Sequence, residues 1–540
     1  MLIAAAIFAA SVASVVVAIP AAAQQARPAV SAQTGVYGET YSINGRPDRR
    51  PPQSLRFYAN PSFSWLGVEF GSSFMWSTED QFTAQTMNRF YLNPRWSWGE
   101  LHAGDYTPSL SRFTASAVRL RGAGIDLSPG RFRFAVTGGL AQDASDQTAF
   151  DAAPRRVMYA GLVGFGNPAR SFIELSALRA IDDSSGADTL SVSPQENVVA
   201  ALAAGLTVGR VRVRTELGAS LFSRDIRASE LASTSATNAA QGVFTPRLSS
   251  RLDRAYSVEA RLALPAGSVG VQVEEIGPGF TTLGNPYLPN DKQELRLVGS
   301  YRLFRGRLAG SGSVGARRDN LTGDKRATTD RRTGSVALTL LTGRWLVSSI
   351  SVLQNGLTRD PAPLPPGSPD PGLVDSFRVR NVSRSLALVE QASFRAAGVP
   401  QTLTLSVSAQ LVDDDSPRFG NELDASSTSI TADWSATLAE RLTLSLRPGF
   451  ERFTGAGRDE SFGSLGVGAT RRAPRSRWNA GVFATRTQVQ DGAQWRANAT
   501  AGVRLGERDQ LSFNVRHTRL RGVTNPFTES VASMRLTRRW

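Results

Sequence analysis

Few side chains in this sequence can carry out acid–base or nucleophilic chemistry. The chain of 540 residues has two histidines, His102 and His517, and no cysteine. His102 lies near Glu100 and Asp105, which could orient it as a general base, but a polar residue at a strand end is the simpler interpretation. His517 shares alternate positions with Phe513 and Val515, on the apolar face of its segment. We therefore predict that the protein is not an enzyme.

Two further motifs would suit ligand binding. Asp413, Asp414 and Asp415 form an acidic run that could bind a divalent cation, although a solvated loop has the same composition. Residues 310–315 match the glycine pattern G-x-G-x-x-G, which binds dinucleotides only between a strand and a helix whose N-terminus holds the phosphates. Here the pattern lies inside an alternating strand, where small residues let neighbouring strands approach. We therefore predict neither a cofactor nor a metal site.

The strongest pattern in the chain is an alternation of apolar and polar residues with a period of two. Between 494 and 505 the apolar positions hold Trp495, Ala497, Ala499, Ala501, Val503 and Leu505. The positions between them include Arg496, Asn498, Thr500 and Arg504. Successive side chains of a strand point to opposite faces, so one face of this strand suits hydrocarbon and the other suits water.

Many arginines fall at the water-facing positions. The formal net charge is +15, and all but two of the 61 basic residues are arginine. Because these residues are scattered rather than clustered, we expect no nucleic-acid partner. We predict that seven of them face the lumen of a barrel and give any conducting state a preference for anions: Arg131, Arg133, Arg210, Arg212, Arg214, Arg496 and Arg504.

The connections between the strands indicate a barrel that crosses a membrane. A soluble β-sandwich also alternates, but here tight turns such as 208–209 and 342–343 alternate with long connections such as 223–251 and 356–375. Short periplasmic turns opposite long extracellular loops are typical of outer-membrane barrels. We predict one all-β domain at 35–540, a single large antiparallel transmembrane β-barrel of about 26 strands, within a range of about 22 to 26.

The N-terminal residues predict export. Residues 1–19 are largely apolar and uncharged, Pro20 interrupts them, and 21–23 supply the small residues that signal peptidase requires. We expect a signal peptide at 1–23 and a short N-terminal periplasmic segment at 24–34. The alternative is a retained N-terminal membrane helix. No later segment reaches the roughly 20 apolar residues that a membrane-spanning helix needs.

The last strand carries an alternation that ends on an aromatic residue. Met534, Leu536 and Trp540 share one face with Arg538, whose stem can lie along the barrel while its charged end reaches water. This pattern resembles the C-terminal assembly signal of outer-membrane proteins, which implies insertion by the barrel-assembly machinery. Residues 104–127 are similar to the early barrel of fimbrial ushers and large translocons. The N-terminal pattern at 38–43, together with 76–79 and the segment Gly104-Asp105, resembles large bacterial outer-membrane barrel proteins of an uncharacterised family. This resemblance implies an architecture rather than a substrate.

These features predict a protein of the cell outer membrane of a Gram-negative-type bacterium, surrounded by lipid and lipopolysaccharide. Barrels of about 16 to 18 strands already enclose an aqueous channel, and those of about 22 carry plugs. We therefore expect a porin-like channel or a translocation conduit for transport or secretion, plugged by the loops 223–251 and 356–375 or by a partner protein. The alternative is a structural or adhesive protein that binds partners through its extracellular loops.

Overall fold

The computed structural model describes residues 29–79, 88–144, 153–183, 192–231, 242–362, 378–416, 423–438, 441–455, 457–473, 477–489, 492–522 and 525–540. It has 26 strands. In chain order they are β1 (Ala29–Asn44), β2 (Gln53–Trp65), β3 (Val68–Ser77), β4 (Arg89–Trp96), β5 (Gly99–Tyr106), β6 (Leu120–Leu127), β7 (Phe132–Gln142), β8 (Arg156–Gly166), β9 (Phe172–Asp182), β10 (Glu196–Val208), β11 (Val211–Ser223), β12 (Ser250–Leu264) and β13 (Gly267–Ile276). They continue as β14 (Lys292–Leu303), β15 (Leu308–Arg318), β16 (Ala327–Thr342), β17 (Leu346–Pro361), β18 (Val379–Ala396), β19 (Val399–Asp414), β20 (Ala425–Leu438), β21 (Leu442–Gly455), β22 (Arg458–Arg472), β23 (Trp478–Val489), β24 (Gly492–Arg504), β25 (Asp509–Arg521) and β26 (Phe527–Arg539). A short 3-10 helix, Phe304–Gly306, joins β14 to β15. Among the described residues, none of the helices is long and apolar enough to cross a membrane.

The strands form one closed antiparallel barrel. Each strand pairs with its neighbours in sequence, and the last strand, β26, pairs with β1 from Gln33 opposite Arg539 to Asn44 opposite Thr528. Closure leaves no strand edge unpaired, which a sheet in a membrane requires. The predicted fold class and strand number are confirmed. The first strand begins at Ala29, so residues 29–34, which we expected to precede the barrel, belong to it.

Tight turns join the strands at one end of the barrel. Between β18 and β19, Ala397 and Gly398 have φ angles of 50° and 78°, as in the two-residue turns that match the twist of a hairpin. Most connections at the other end are longer, but β21 ends at Gly455 and β22 begins at Arg458. The asymmetry of the connections is therefore most pronounced before β21.

The two faces of the barrel wall differ in exposure. On β9, Leu175 is 57% exposed, whereas Ser176 beside it is 2% exposed. Large apolar side chains are exposed on one face around the barrel, for example Val163 on β8 and Val482 on β23. Water would not solvate such a band favourably, whereas hydrocarbon accommodates it. This face is the lipid face, the opposite face lines the lumen, and the protein belongs to the outer membrane.

The C-terminal strand presents its predicted signal to the lipid face. Met534 and Leu536 are 46% and 40% exposed, and both lie opposite apolar residues of β25. The Arg538 guanidinium lies 4.0 Å from the centre of the Trp540 ring. The Trp540 N–H donates a hydrogen bond of 2.8 Å to the Ala32 carbonyl on β1. The signal therefore lies at the seam where the barrel closes.

Candidate functional site

The lumen is apolar along part of one wall, where two connections cover it. The inner positions Met158 on β8, Leu178 on β9 and Val199 on β10 are at most 2% exposed. The covering segments are residues 107–119, between β5 and β6, and residues 277–291, between β13 and β14. We call these two connections the inward segments, because they pack on the face opposite to the lipid face.

The inward segments share one apolar core. The ring of Phe113, which is fully buried, meets the ring of Phe280 edge to face at 5.6 Å between centroids. A Cβ atom at Gly218 on β11 would lie 3.1 Å from Phe113, so a glycine there lets the ring approach the wall. Leu120 and Leu283 belong to the same buried cluster. The core therefore joins both segments to the barrel.

Polar groups of the wall also hold the inward segments. Asn197 on β10 donates to the Thr281 carbonyl at 3.0 Å and accepts the Leu283 N–H at 2.9 Å. Ser220 on β11 donates to the same carbonyl at 2.5 Å. Both wall side chains are fully buried. Buried polar groups that lose their partners cost about 1–3 kcal/mol each, so these bonds favour a docked segment.

The two inward segments are bonded to each other as well. The Ser116 N–H donates to the Gly284 carbonyl at 3.1 Å, and the Thr282 hydroxyl donates to the Thr114 carbonyl at 2.8 Å. Arg112 forms an ion pair of 2.5 Å with Glu274 on β13. The segments therefore form a single unit that docks on the wall.

An acidic residue ties the end of the second inward segment to the next connection. Asp291, which is 2% exposed, accepts the N–H groups of Asn320 at 3.0 Å and Leu321 at 2.8 Å, and it also pairs with Lys325. Burial opposes ionisation, but the Lys325 ammonium and the two N–H groups outweigh it and hold the pKa of Asp291 below its usual range. The ionised carboxylate is therefore part of the docked state.

Arg133 lies on the inner face of β7 and is balanced by acidic groups. Its guanidinium pairs with Asp126 at 3.3 Å and with Glu174 at 3.2 Å. It also donates to the Ser109 carbonyl of the first inward segment at 3.1 Å. This arginine therefore links the wall to the segment instead of presenting a free charge.

Arg212 and Arg214 lie on the inner face of β11. Arg212 donates to the Ala169 carbonyl at 2.7 Å, and Arg214 lies over the Phe172 ring at 5.6 Å. With Arg261 they line a hollow at the end of the barrel where the tight turns lie. The sequence did not predict this hollow, because its residues come from several strands that only the fold brings together.

The other predicted arginines occupy two kinds of position. Arg131 and Arg210 fall in turns, directly before β7 and β11. Arg496 and Arg504 lie on β24, on the inner face, where Arg496 faces Thr485 and Thr518 of the flanking strands. Anion preference stays a prediction, since acidic groups offset some of the inner arginines.

The loops expected to fill the lumen are not the two inward segments. Residues 356–361 continue β17 to Pro361, and 363–377 lie outside the described residues, as do 232–241 of the other loop. The inward segments were missed because they are short and only partly apolar. Two features of the sequence could have indicated them. Leu110, Phe113 and Val118 are apolar residues in a connection between strands, and the run Gly-Pro-Gly-Phe, which ends at Phe280, places an aromatic residue in a turn.

The candidate catalytic residues have structural contacts. His102 lies within β5 rather than at its end, accepts or donates a 2.8 Å hydrogen bond with the Tyr91 hydroxyl, and stacks on Tyr106 at 4.8 Å. His517, on the lipid face of β25, bonds the Ser530 hydroxyl at 2.9 Å. The His102 ring also lies 3.7 Å from the Glu100 carboxylate, and the pair formed by His517 and Ser530 lies on the lipid face rather than in the lumen.

The acidic run and the glycine motif also lie in strands or at their ends. Asp413 pairs with Arg384 at 2.7 Å, and Asp414 accepts the Ser416 N–H at 2.9 Å. Residues 310–315 lie within β15, as the alternation predicts. In the part of the chain that the structure describes, no three His, Asp or Glu side chains come together as metal ligands.

The barrel is similar to solved outer-membrane proteins at low sequence identity. It matches a chain of the E. coli P pilus tip assembly intermediate PapC-PapD-PapK-PapG with a TM-score of 0.48 and 10% identity, over 94% of this chain and 60% of that chain. It also matches the alcaligin outer membrane receptor FauA of Bordetella pertussis, with a TM-score of 0.36 and 10% identity over 95% and 77% of the two chains. OpdK of Pseudomonas aeruginosa with vanillate gives a TM-score of 0.30 and 10% identity, over 64% and 93%. No protein-family model and no curated protein matches the chain. The identities are too low to carry a function from one protein to another.

Proposed function

We propose that this protein is an outer-membrane channel or translocation conduit without enzymatic activity. The observation that carries the proposal is a closed barrel of 26 strands in which, among the described residues, the core of the inward segments covers the inner face on the side of β6 to β13. Barrels of about 16 to 18 strands already hold an aqueous channel. A wall of this size therefore leaves room for cargo beside the inward segments.

The proposal includes a means of closing the lumen. The inward segments fill it on the side of β6–β13, where they bury Phe113 and Phe280. A partner protein that acts in transport or secretion and occupies the lumen is the other means of closure. Lipid and lipopolysaccharide surround the barrel in this proposal, and the barrel-assembly machinery recognises the strand that ends at Trp540.

The experiment compares the wild type with a variant in which residues 110–117 are replaced by a flexible Gly-Ser linker of equal length. Both proteins are inserted in planar bilayers after a heat-modifiability assay has shown that the barrel is folded. We expect conductance from the wild type and a larger conductance from the variant, because the linker cannot fill the apolar core. Tyr287→Ala is the control, since Tyr287 lies on an inward segment and is 78% exposed.

The alternative, a structural or adhesive protein, gives a different result. Folded wild type and folded variant would both fail to conduct, in the presence or absence of copurified proteins. That outcome would contradict the conduit.

A further inference from the structure

The central inner positions of five consecutive strands hold uncharged residues. We call the central inner positions of β16 to β20 the neutral wall. They are Thr333, Ser335, Ala337 and Thr339 on β16, Ser349, Ser351, Leu353 and Asn355 on β17, Ser383, Ser385, Ala387, Val389 and Gln391 on β18, Thr402, Thr404, Ser406, Ser408 and Gln410 on β19, and Ser427, Ser429 and Thr431 on β20. Hydroxyl and amide groups therefore dominate this surface.

The register of the strands places these side chains side by side. Ser335 lies opposite Leu353, Ser385 opposite Gln410, and Ser406 opposite Thr431. Asp433 lies opposite Thr404 at the edge of this set, and the other charged inner residues of these strands, Arg331, Arg359, Arg395 and Asp414, lie nearer the strand ends. The neutral wall is thus a continuous surface, and charges occur at its borders.

The wall that carries the inward segments has the opposite character. Its inner positions include the acidic Glu174, Glu216 and Glu274 and the basic Arg133 and Lys292, several of them buried and paired. These charges hold the inward segments and one another. Charged inner residues are therefore frequent where the lumen is filled.

The neutral wall is accessible. None of its side chains is buried, and Ser351, Ser408 and Gln410 are exposed. Its side chains are mostly short, so they leave space in the lumen. An exposed surface of this kind exchanges hydrogen bonds with water or with a solute at a small net gain, about 0.5–1.5 kcal/mol for each bond.

This chemistry selects a class of cargo. A charged polymer would leave bulk water without meeting opposite charges on this surface, whereas a hydroxyl-rich neutral polymer can replace each bond to water with a bond to the wall. Many weak and equivalent bonds let such a polymer move without being trapped. A surface that lacks large aromatic side chains also gives little adhesion to apolar peptide segments.

We infer that the neutral wall is the transit surface of the lumen and that its cargo is an uncharged glycan chain. This inference rests on the proposed conduit function. The glycan passes beside the docked inward segments and contacts the hydroxyl groups of β16 to β20.

The absence of native cysteine makes the inference directly testable. Ser351→Cys, Ser406→Cys and Ser429→Cys each place one thiol on the neutral wall. Ser176→Cys is the matched control, because Ser176 is 2% exposed beneath the inward segments. A membrane-impermeant thiol reagent is added to the folded protein in liposomes, with maltodextrin, oligogalacturonate or an unfolded neutral peptide of similar mass as competitor.

We expect the three neutral-wall thiols to react and the Ser176→Cys thiol to be protected. Maltodextrin at about ten times its half-saturating concentration should slow labelling about tenfold, as site occupancy requires. The charged oligogalacturonate and the peptide should have little effect. Maltodextrin should also pass into the liposomes.

The outcomes separate the two proposals. If the neutral-wall thiols react but only oligogalacturonate or the peptide slows labelling, the glycan inference is wrong and the conduit stands. If no competitor slows labelling while ions conduct, the neutral wall is not a transit surface. If the thiols are unreactive and the barrel does not conduct, the conduit itself is contradicted.

Discussion

The contact between Phe113 and Phe280 gives the sharpest prediction about closure of the lumen. Phe113→Ala removes a fully buried ring that meets Phe280 at 5.6 Å and lies against Gly218. Phe113 belongs to a connection rather than to a strand, so the substitution leaves the backbone pairing of the barrel intact. We therefore expect it to weaken docking of the inward segments rather than barrel assembly.

The expected change in the docking equilibrium follows from the burial of the Phe113 ring. Truncation of a buried phenylalanine to alanine costs about 3–5 kcal/mol. Each 1.36 kcal/mol corresponds to about a tenfold change in an equilibrium constant. If the cost falls on the docking equilibrium, the undocked population rises about a hundredfold to about five-thousandfold.

Single-channel recording in planar bilayers measures this population as the fraction of time spent in the larger conductance state. The folded state is checked by heat modifiability, and Tyr287→Ala, an exposed aromatic on the same unit, should behave as the wild type. Phe280→Ala should reproduce the effect of Phe113→Ala. A folded Phe113→Ala variant with wild-type conductance statistics would refute the assignment of this core to closure.

Three further outcomes are expected. Ala499→Arg should reduce the amount of folded barrel, because Ala499 faces lipid, where an arginine costs about 2–4 kcal/mol. Thr500→Arg should not, because Thr500 lies on the inner face between Gly481 and Asn514. Equal levels of heat-modifiable protein for both variants would overturn the assignment of faces. The Asp291 pKa is depressed, so its contribution to docking is complete at neutral pH and is lost as pH falls below the usual value of 3.8; conductance recorded against pH should rise there. In Lys325→Met, the ammonium no longer favours the ionised carboxylate, so the depression of the Asp291 pKa becomes smaller. The rise of conductance on acidification should therefore be smaller than in the wild type, and an unchanged profile would exclude the ion pair from closure.

Sequence reasoning found the barrel because its signal is local. A strand places alternate side chains on opposite faces whatever its partners are, so residues such as Trp495 and Arg496 indicate their own faces. Tight turns such as the one at Gly398 mark the hairpins one by one. The strand number and the antiparallel order then follow from counting, since each strand pairs with the next.

The arrangement of charged residues in the lumen could be predicted only in part from the sequence. The alternation indicates that Arg133 and Arg214 lie on the inner face, but it does not identify the residues with which they pair. Arg133 meets Glu174 because β7 and β9 lie two strands apart with inner faces in register. The neutral wall likewise depends on the register between strands, because it consists of residues that lie opposite one another on five strands.

The sequence by itself determined the barrel, its 26 strands and the face on which most strand residues lie, because these depend on periodicity and on connections between neighbours. Only the tertiary structure decided which connections enter the lumen. Phe113 and Phe280 lie on connections after β5 and β13, where a few apolar residues are scattered among polar ones without a regular period. They become a core only when closure brings both connections to the same wall, where Gly218 leaves room and Asn197 provides hydrogen bonds. A contact of this kind depends on the shape of the closed barrel, which no local pattern encodes.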